Sequence, residues 1–261
     1  MIDFKNLKIS QTSKGITRII LNDPSSYNSL SGDMIGSLLL ALDFLNKDSK
    51  SKVIIIEGSG KGFSAGHNLK EINLMKNKAS YLSLFKKCSK LMLAITNHKK
   101  PIIAKIHGGA FAAGCQLVAS CDLAYSTKDS IFATPGVNIG LFCSTPMVAL
   151  SRNVSRKKIM KMLLTGESIT AQYAKEIGLI NDFCENSNLE REVLKLAVKI
   201  ASKSTRVVKI GKKAFYKQIE MPLDKAYKHT SKVMAENMMA LDAQEGISAF
   251  IEKRKANWKN K

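Results

Sequence analysis

A chain of 261 residues suits a single α/β domain with a helical appendage, and its 45% hydrophobic content excludes a disordered polymer. Forty-one basic against 21 acidic residues give a net charge of +20. The lysines are scattered over nearly every helical segment, with no interleaved aromatics and no nucleic-acid motif, so the expected partner is a small anion rather than nucleic acid.

In chain order, Leu7 to Ser10 and Thr17 to Leu21 read as an opening hairpin. Ser31 caps a helix whose apolar residues Ile35, Leu38, Leu39, Leu42 and Leu45 share one face. The unbroken β-branched run Val53 to Ile56 predicts a fully buried strand. A helix follows from about Ser80 to Asn97, and Pro101 restarts the chain into a strand over Ile102 to Ile106. Ala112 to Ser120 reads as a helix, Leu123 to Ser126 and Ser130 to Ala133 as short strands, and the chain becomes helical again from Ser144. This strand, glycine turn and helix pattern recurs at intervals of roughly 50 residues, which predicts stacked ββα units. No G-x-G-x-x-G follows a strand, which leaves a nicotinamide-binding sheet without support.

Beyond about Ser155 the pattern is mostly helical. Thr170 caps a helix to Ile177 that Gly178 ends, and a lysine-rich helix covers Leu189 to Ser202. A long amphipathic helix is predicted over Leu223 to Arg254, with an interruption near Gly246. The expected division is an α/β core over 1–200 and a helical region over 201–261. Met234, Met238, Met239, Leu241, Ile247, Phe250 and Ile251 exceed what a small appendage buries alone. They predict a subunit interface, with packing on the chain's own core as the alternative.

Five cysteines without C-x-x-C spacing predict reduced thiols, no disulfide and no metal site. The opening Met1 to Lys5 carries neither a secretory signal nor a transit-peptide bias, and a cytoplasmic location is expected. The stretch free of Lys and Arg, Ile106 to Thr127, contains glycines, Gln116 and Asp122, and so reads as a buried turn, helix and strand rather than a membrane insertion.

Two stretches carry chemistry: Phe63 to Leu69 (FSAGHNL) and His107 to Gln116 (HGGAFAAGCQ). Each follows a β-branched run and places small residues before a helix, exposing backbone N–H groups at a positive helix end. Two such ends can converge on one carbonyl oxygen and stabilise negative charge developing there. The second stretch holds no carboxylate.

With Pro24-x-x-Tyr27-Asn28-Ser29-Leu30 these stretches resemble the enoyl-CoA hydratase/isomerase (crotonase) superfamily, whose patterns are P-x-x-R-N-A-L, F-x-A-G-x-D-L and G-x-x-x-G-G-G-C-E. The resemblance covers essentially the whole chain. It implies a spiral of ββα turns with a C-terminal trimerisation region, a homotrimer or hexamer, and binding of acyl-CoA thioesters as substrate with no further cofactor. It assigns the two oxyanion-hole donors to the backbone N–H groups of His67 and Ala113. Substrate contacts are implied at Tyr27, Ser29, Ala65, Asn68, Leu69, Gly109, Gly114 and Pro135. Tyr27 stands where an Arg or Lys is usual, and Lys253 of a neighbouring subunit is the substitute cation.

The departures matter as much. The family's two catalytic glutamates map onto Gln116, whose amide positions a water but exchanges no proton near neutral pH, and onto Gly136, which has no side chain. Among other groups, His67 is the replacement base if its imidazole faces the site. His107 and Asp122 read as structural hydrogen-bonding residues, Asn68 as a helix cap, and Cys115 and Cys121 as packing. Ser144, beside Cys143, reads as the cap of the next helix or, alternatively, as a nucleophile. Three functions stay open: a lyase- or isomerase-type enzyme, nominally an enoyl-CoA hydratase of fatty-acid metabolism; a non-catalytic acyl-CoA-binding or regulatory protein; and an acyl-CoA thioesterase.

Overall fold

Strands β1 (Leu7–Gln11) and β2 (Ile16–Leu21) form the antiparallel hairpin that the alternation predicts. The computed structural model describes residues 4–260; Met1, Ile2 and Asp3, part of the stretch read for targeting, and Lys261 lie outside the described residues. Strands β3 (Val53–Gly58), β4 (Ile102–Ile106), β6 (Leu123–Thr127) and β9 (Asp182–Cys184) continue the sheet in parallel, in the order β1-β2-β3-β4-β6-β9.

All six residues of β3 are buried because both sheet faces are covered. Ile54 and Ile56 pack among α1 (Gly32–Lys47) and α3 (Lys78–Thr96), whereas Val53 and Ile55 pack against Leu189, Val193 and Ala197 of α8 (Asn186–Ala201). On the α8 face Glu57 pairs with Lys105 at 2.6 Å and with Arg18 at 3.6 Å, and Glu190 of α8 closes the cluster. Predicted caps hold: the Ser31 and Thr170 side chains accept from Met34 N and Tyr173 N.

A second sheet joins β5 (Gly109–Phe111), β7 (Ile131–Ala133) and β8 (Ile169–Thr170). Two units send one strand to the large sheet and the next to the small one: β4 then β5 before α4 (Ala113–Ser120), and β6 then β7 before the next helical turn.

Two expectations are corrected. Ser144 caps nothing: its hydroxyl donates to Phe142 O at 3.3 Å, and α5 (Pro146–Leu150) starts from Thr145 with proline in its first turn. The C-terminal helix breaks at Met239–Ala240, between α10 (Leu223–Met238) and α11 (Leu241–Ile251), and not at Gly246. Gly246 sits inside α11 because the Trp258 ring lies over it, 3.3 Å from where a Cβ would stand. Helix α9 (Thr205–Gln218), which the sequence reading did not single out, reaches the core through Lys212. Its ammonium donates to Asp122 at 2.7 Å and to the carbonyls of Ile95 and Lys100, while Tyr216 donates to the other Asp122 oxygen at 2.9 Å. Asp122 is thus the structural acceptor expected, with a cation as well. Among the described residues no helix is long and apolar enough to cross a membrane.

Candidate active site

The ends of β3 and β4 lead into the two glycine-led loops, and backbone pairing stitches these together. Phe63 N and Ser64 N both donate to Gly109 O, at 3.1 and 3.2 Å, and Phe111 N donates to Ser64 O at 2.9 Å. Ser64 Oγ donates to Asn28 O at 2.9 Å and accepts from Gly66 N. Asn28 is fully buried in the left-handed region (φ 53°), and its amide donates to Ser59 O and Gly62 O. Ala65 N donates to Tyr27 O and Leu30 N to Gly66 O, so three segments of chain fix one loop.

Gly66 (φ 86°) lies against the start of α4: a Cβ there would stand 2.7 Å from Phe111 O and 3.0 Å from Ala113 N. His67 N is the next amide along, so the two predicted donors sit on adjoining turns. Neither donates to any acceptor among the described residues. Gly114 closes the approach from the other side, since a Cβ would collide with the Ser64 carbonyl. Ala112, which caps α4, holds φ 46° and ψ −112°, an arrangement costing a non-glycine residue about 1–3 kcal/mol. Its N–H donates to Ala133 O at 2.9 Å.

Around these amides the buried polar atoms are under-satisfied. Among the described residues four buried side-chain polar atoms lack a partner, and three of them are His67 Nε2, Gln116 Oε1 and Thr134 Oγ1. The His67 Nδ1 faces Leu30 O at 3.1 Å, which requires the proton on Nδ1 and leaves Nε2 as a lone pair. Burial pulls the His67 pKa below its usual value, against weaker opposing effects of the Leu30 carbonyl and Glu71, so the ring is neutral at pH 7. Its edge rests on Phe85, with centroids 5.5 Å apart.

Gly136 lies in the 3-10 turn Pro135–Ile139 that Pro135 opens. The space for its side chain is taken: a Cβ would stand 2.9 Å from Leu141 O and 3.0 Å from Cys143 Sγ. Burial raises the pKa of Cys143 and takes Cys115 to about 12, so both are thiols. No cluster of His, Cys, Asp or Glu among the described residues has the makings of a metal site.

The remaining predicted residues divide. Asn68 caps α2 (Leu69–Leu74), accepting from Lys70 N and Glu71 N, and Leu69 is exposed beside the loop. His107 Nε2 donates to Gly60 O at 2.9 Å, a structural bond as expected. The Tyr27 hydroxyl accepts from Gly109 N at 2.9 Å and its ring packs 6.2 Å from Phe111, so it braces the second loop. Ser29 is buried with its hydroxyl on Ser26. Lys253 follows α11, which packs on α9 and α10. Thr134 goes unmarked in the sequence, and Cys143 stands out only as part of a segment able to offer a nucleophile, whereas in the structure it fills the space beside Gly136. No local pattern marks which side chain fills a gap left by a glycine.

The sequence pattern of the enoyl-CoA hydratase/isomerase family matches residues 11–261. This chain belongs to that family. Enoyl-CoA hydratase domain-containing protein 3, mitochondrial, of Xenopus laevis is 48% identical over 252 residues, covering 97% of this chain and 86% of the relative. Its human counterpart is 48% identical over 244 residues, covering 94% and 80%. The crystal structure of human enoyl Coenzyme A hydratase domain-containing protein 3 superposes with a TM-score of 0.94 at 46% identity, covering 97% of this chain and all of that one. An enoyl-CoA hydratase structure from Mycobacterium smegmatis gives 0.96 at 44% identity, covering 97% and 98%. Within the family, the stretches Gly66–Glu71, Ala113–Asp122 and Phe132–Pro146 are similar to domain-containing protein 3, and the whole-chain comparison bears that likeness out. The expected cytoplasmic location is corrected: five relatives at 43–48% identity carry mitochondrial names. Reduced cysteines do not separate the two compartments.

Proposed function

We propose that this enoyl-CoA hydratase/isomerase family member acts on acyl-CoA thioesters, with the His67 and Ala113 amides as the oxyanion hole. The observation that carries this reading is a pair of unpaired N–H groups on adjoining, rigidly stitched turns, one at a helix start. Enolate formation or addition to a conjugated thioester places charge on the carbonyl oxygen, and losing one such donor costs about 10²–10³-fold in rate. The three orphaned polar atoms support a ligand or water completing the pocket. The chain assembles as a homotrimer or hexamer through α10, α11 and the break between them, where Phe250 is 85% and Met239 77% exposed. A mitochondrial location follows the relatives' names.

Proton transfer by the usual pair of glutamates is missing from this reading. Gln116 exchanges no proton, Gly136 offers no group, and the thiol filling its place stays protonated. That observation favours a second reading, acyl-CoA binding without efficient turnover. Thioester hydrolysis through Ser144 is disfavoured, since its hydroxyl is turned to Phe142 O and hydrogen-bonds to no histidine among the described residues. Loss of the conjugated enoyl absorbance of crotonyl-CoA separates the first two readings, with turnover expected at least ~10²-fold below a two-glutamate hydratase. Calorimetric titration with a series of acyl-CoAs tests both, and absence of any binding defeats both.

A further inference from the structure

The opposite end of the sheet carries a second concave surface, a cavity of about 420 Å³. Its walls come from the end of α1 (Asn46 to Asp48), the residues leading into β3 and β4, and the first turns of α9. Six cations line it: Lys47, Lys52, Lys99, Lys100, Arg206 and Lys209. The single carboxylate there, Asp48, is already engaged, accepting from Gln11 Nε2 at 2.8 Å and from the amides of Lys50 and Ser51. Lys47 pairs with Asp43, and the Lys100 ammonium is held by the carbonyls of Leu45 and Asp48. Lys52, Lys99, Arg206 and Lys209 form no ion pair among the described residues, so their mutual repulsion is uncompensated.

Helix α9 sharpens the point. The first turn of this 14-residue helix holds no acidic residue. Arg206 sits there instead and Lys209 just beyond it, where the helix dipole disfavours positive charge. Ser204 and Asn260 already satisfy the amides of Val207 and Thr205, so a ligand is read by side-chain charge rather than by helix N–H groups. Burial lowers the Lys100 pKa, against the opposing pull of Asp48, and the neighbouring Lys99 adds to the lowering. The volume lies within the range of small-ligand sites. No aromatic ring lines the cavity, which removes the stacking platforms that single-stranded nucleic acid uses.

We infer that this groove is a second anion site, separate from the thioester site, that binds a compact polyphosphate such as inorganic triphosphate or the triphosphate tail of a nucleotide. Because core elements and α9 share its walls, the bound anion ties the C-terminal helices to the sheet.

Calorimetric titration of the full chain with sodium tripolyphosphate at 0.15 M salt tests it, with thermal unfolding in parallel. Saturable one-site binding and a rise in the unfolding midpoint are expected. Lys99→Glu with Lys209→Glu weakens binding at least ~10-fold, the minimum for two lost charge-assisted contacts, and leaves titration by acyl-CoA unchanged. Adenosine triphosphate binding as tightly as tripolyphosphate assigns recognition to the phosphates. The inference is overturned if tripolyphosphate fails to saturate, if the double variant binds it equally, if free CoA displaces it one for one, or if only a long RNA binds. A protein that binds tripolyphosphate but no acyl-CoA would refute the thioester reading and leave this one standing.

Discussion

Gly66 and Gly140 offer a matched pair for measuring how closely the two loops approach. Both hold positive φ, 86° and 75°, so alanine strains the backbone similarly at each, by roughly 1–2 kcal/mol. A Cβ at Gly140 meets nothing within 4 Å, whereas one at Gly66 meets Phe111 O at 2.7 Å and Ala113 N at 3.0 Å. Both of those are backbone atoms that cannot swing aside as a side-chain end would. Overpacking of this kind adds about 1–3 kcal/mol. At about 2–4 °C per kcal/mol for a chain approaching this size, Gly66→Ala should melt about 2–12 °C below Gly140→Ala at matched concentration. Acyl-CoA titration reads the second consequence: pushing Ala113 away from residue 66 spoils the alignment of the two amides, so affinity falls for Gly66→Ala only. Equal melting of the two variants, or full acyl-CoA affinity in Gly66→Ala, would refute the juxtaposition on which the site rests.

Three further outcomes follow from the same structure. Lys212→Met strands the partly buried Asp122 carboxylate and costs about 2–4 kcal/mol in urea unfolding, most of which Asp122→Asn in the same chain restores. His98 is fully buried, donating from Nε2 to Leu42 O and accepting at Nδ1 from Lys100 N, and burial lowers its pKa to about 4 from 6.5. Its unfolded form therefore takes up a proton first on acidification, so stability is lost as pH falls from about 6.5 to 4, by about 3 kcal/mol in all. Urea midpoints across that window should flatten in His98→Gln. Finally, Gln116→Glu with Gly136→Glu should gain more crotonyl-CoA hydration with Cys143→Gly than without it, by ~10²-fold over the two-glutamate variant. The third change removes the thiol, and the glycine lets the Leu141–Cys143 backbone shift from the new Cβ.

Local chemistry was legible wherever one short segment carried it. Ser31, Asn68 and Thr170 cap the helices expected of them, and Val53 to Ile56 is buried on both faces as its unbroken pattern implies. The likeness of three stretches to a family led to the two amides, and the structure brings them onto adjoining turns. What escaped depends on partners far along the chain. Strand β5 is three residues long and exists through its register with β7 and its bonds to Phe63 and Ser64, both distant in sequence. The Tyr27 hydroxyl meets Gly109 across 82 residues, and Lys212 meets Asp122 across 90. Gly246 looked like a helix breaker because nothing local announces the Trp258 ring that packs over it. The mitochondrial names of the relatives concern compartment, on which composition is silent.

Ala112 shows why the site and the fold need separate explanations. Left-handed backbone at a non-glycine residue persists only when its surroundings over-determine it. Here the β5–β7 pairing and the bond from Ala112 N to Ala133 O do so. A cap in the usual extended backbone would carry no such strain. Instead the chain keeps a strained turn, two N–H groups without acceptors and three unpartnered polar atoms, all on the loops and turns that meet at the start of α4. Packing explains none of these, since each raises the free energy of the folded chain. In the proposed function a thioester oxygen takes the two amides, and polar groups of the ligand or water take His67 Nε2, Gln116 and Thr134.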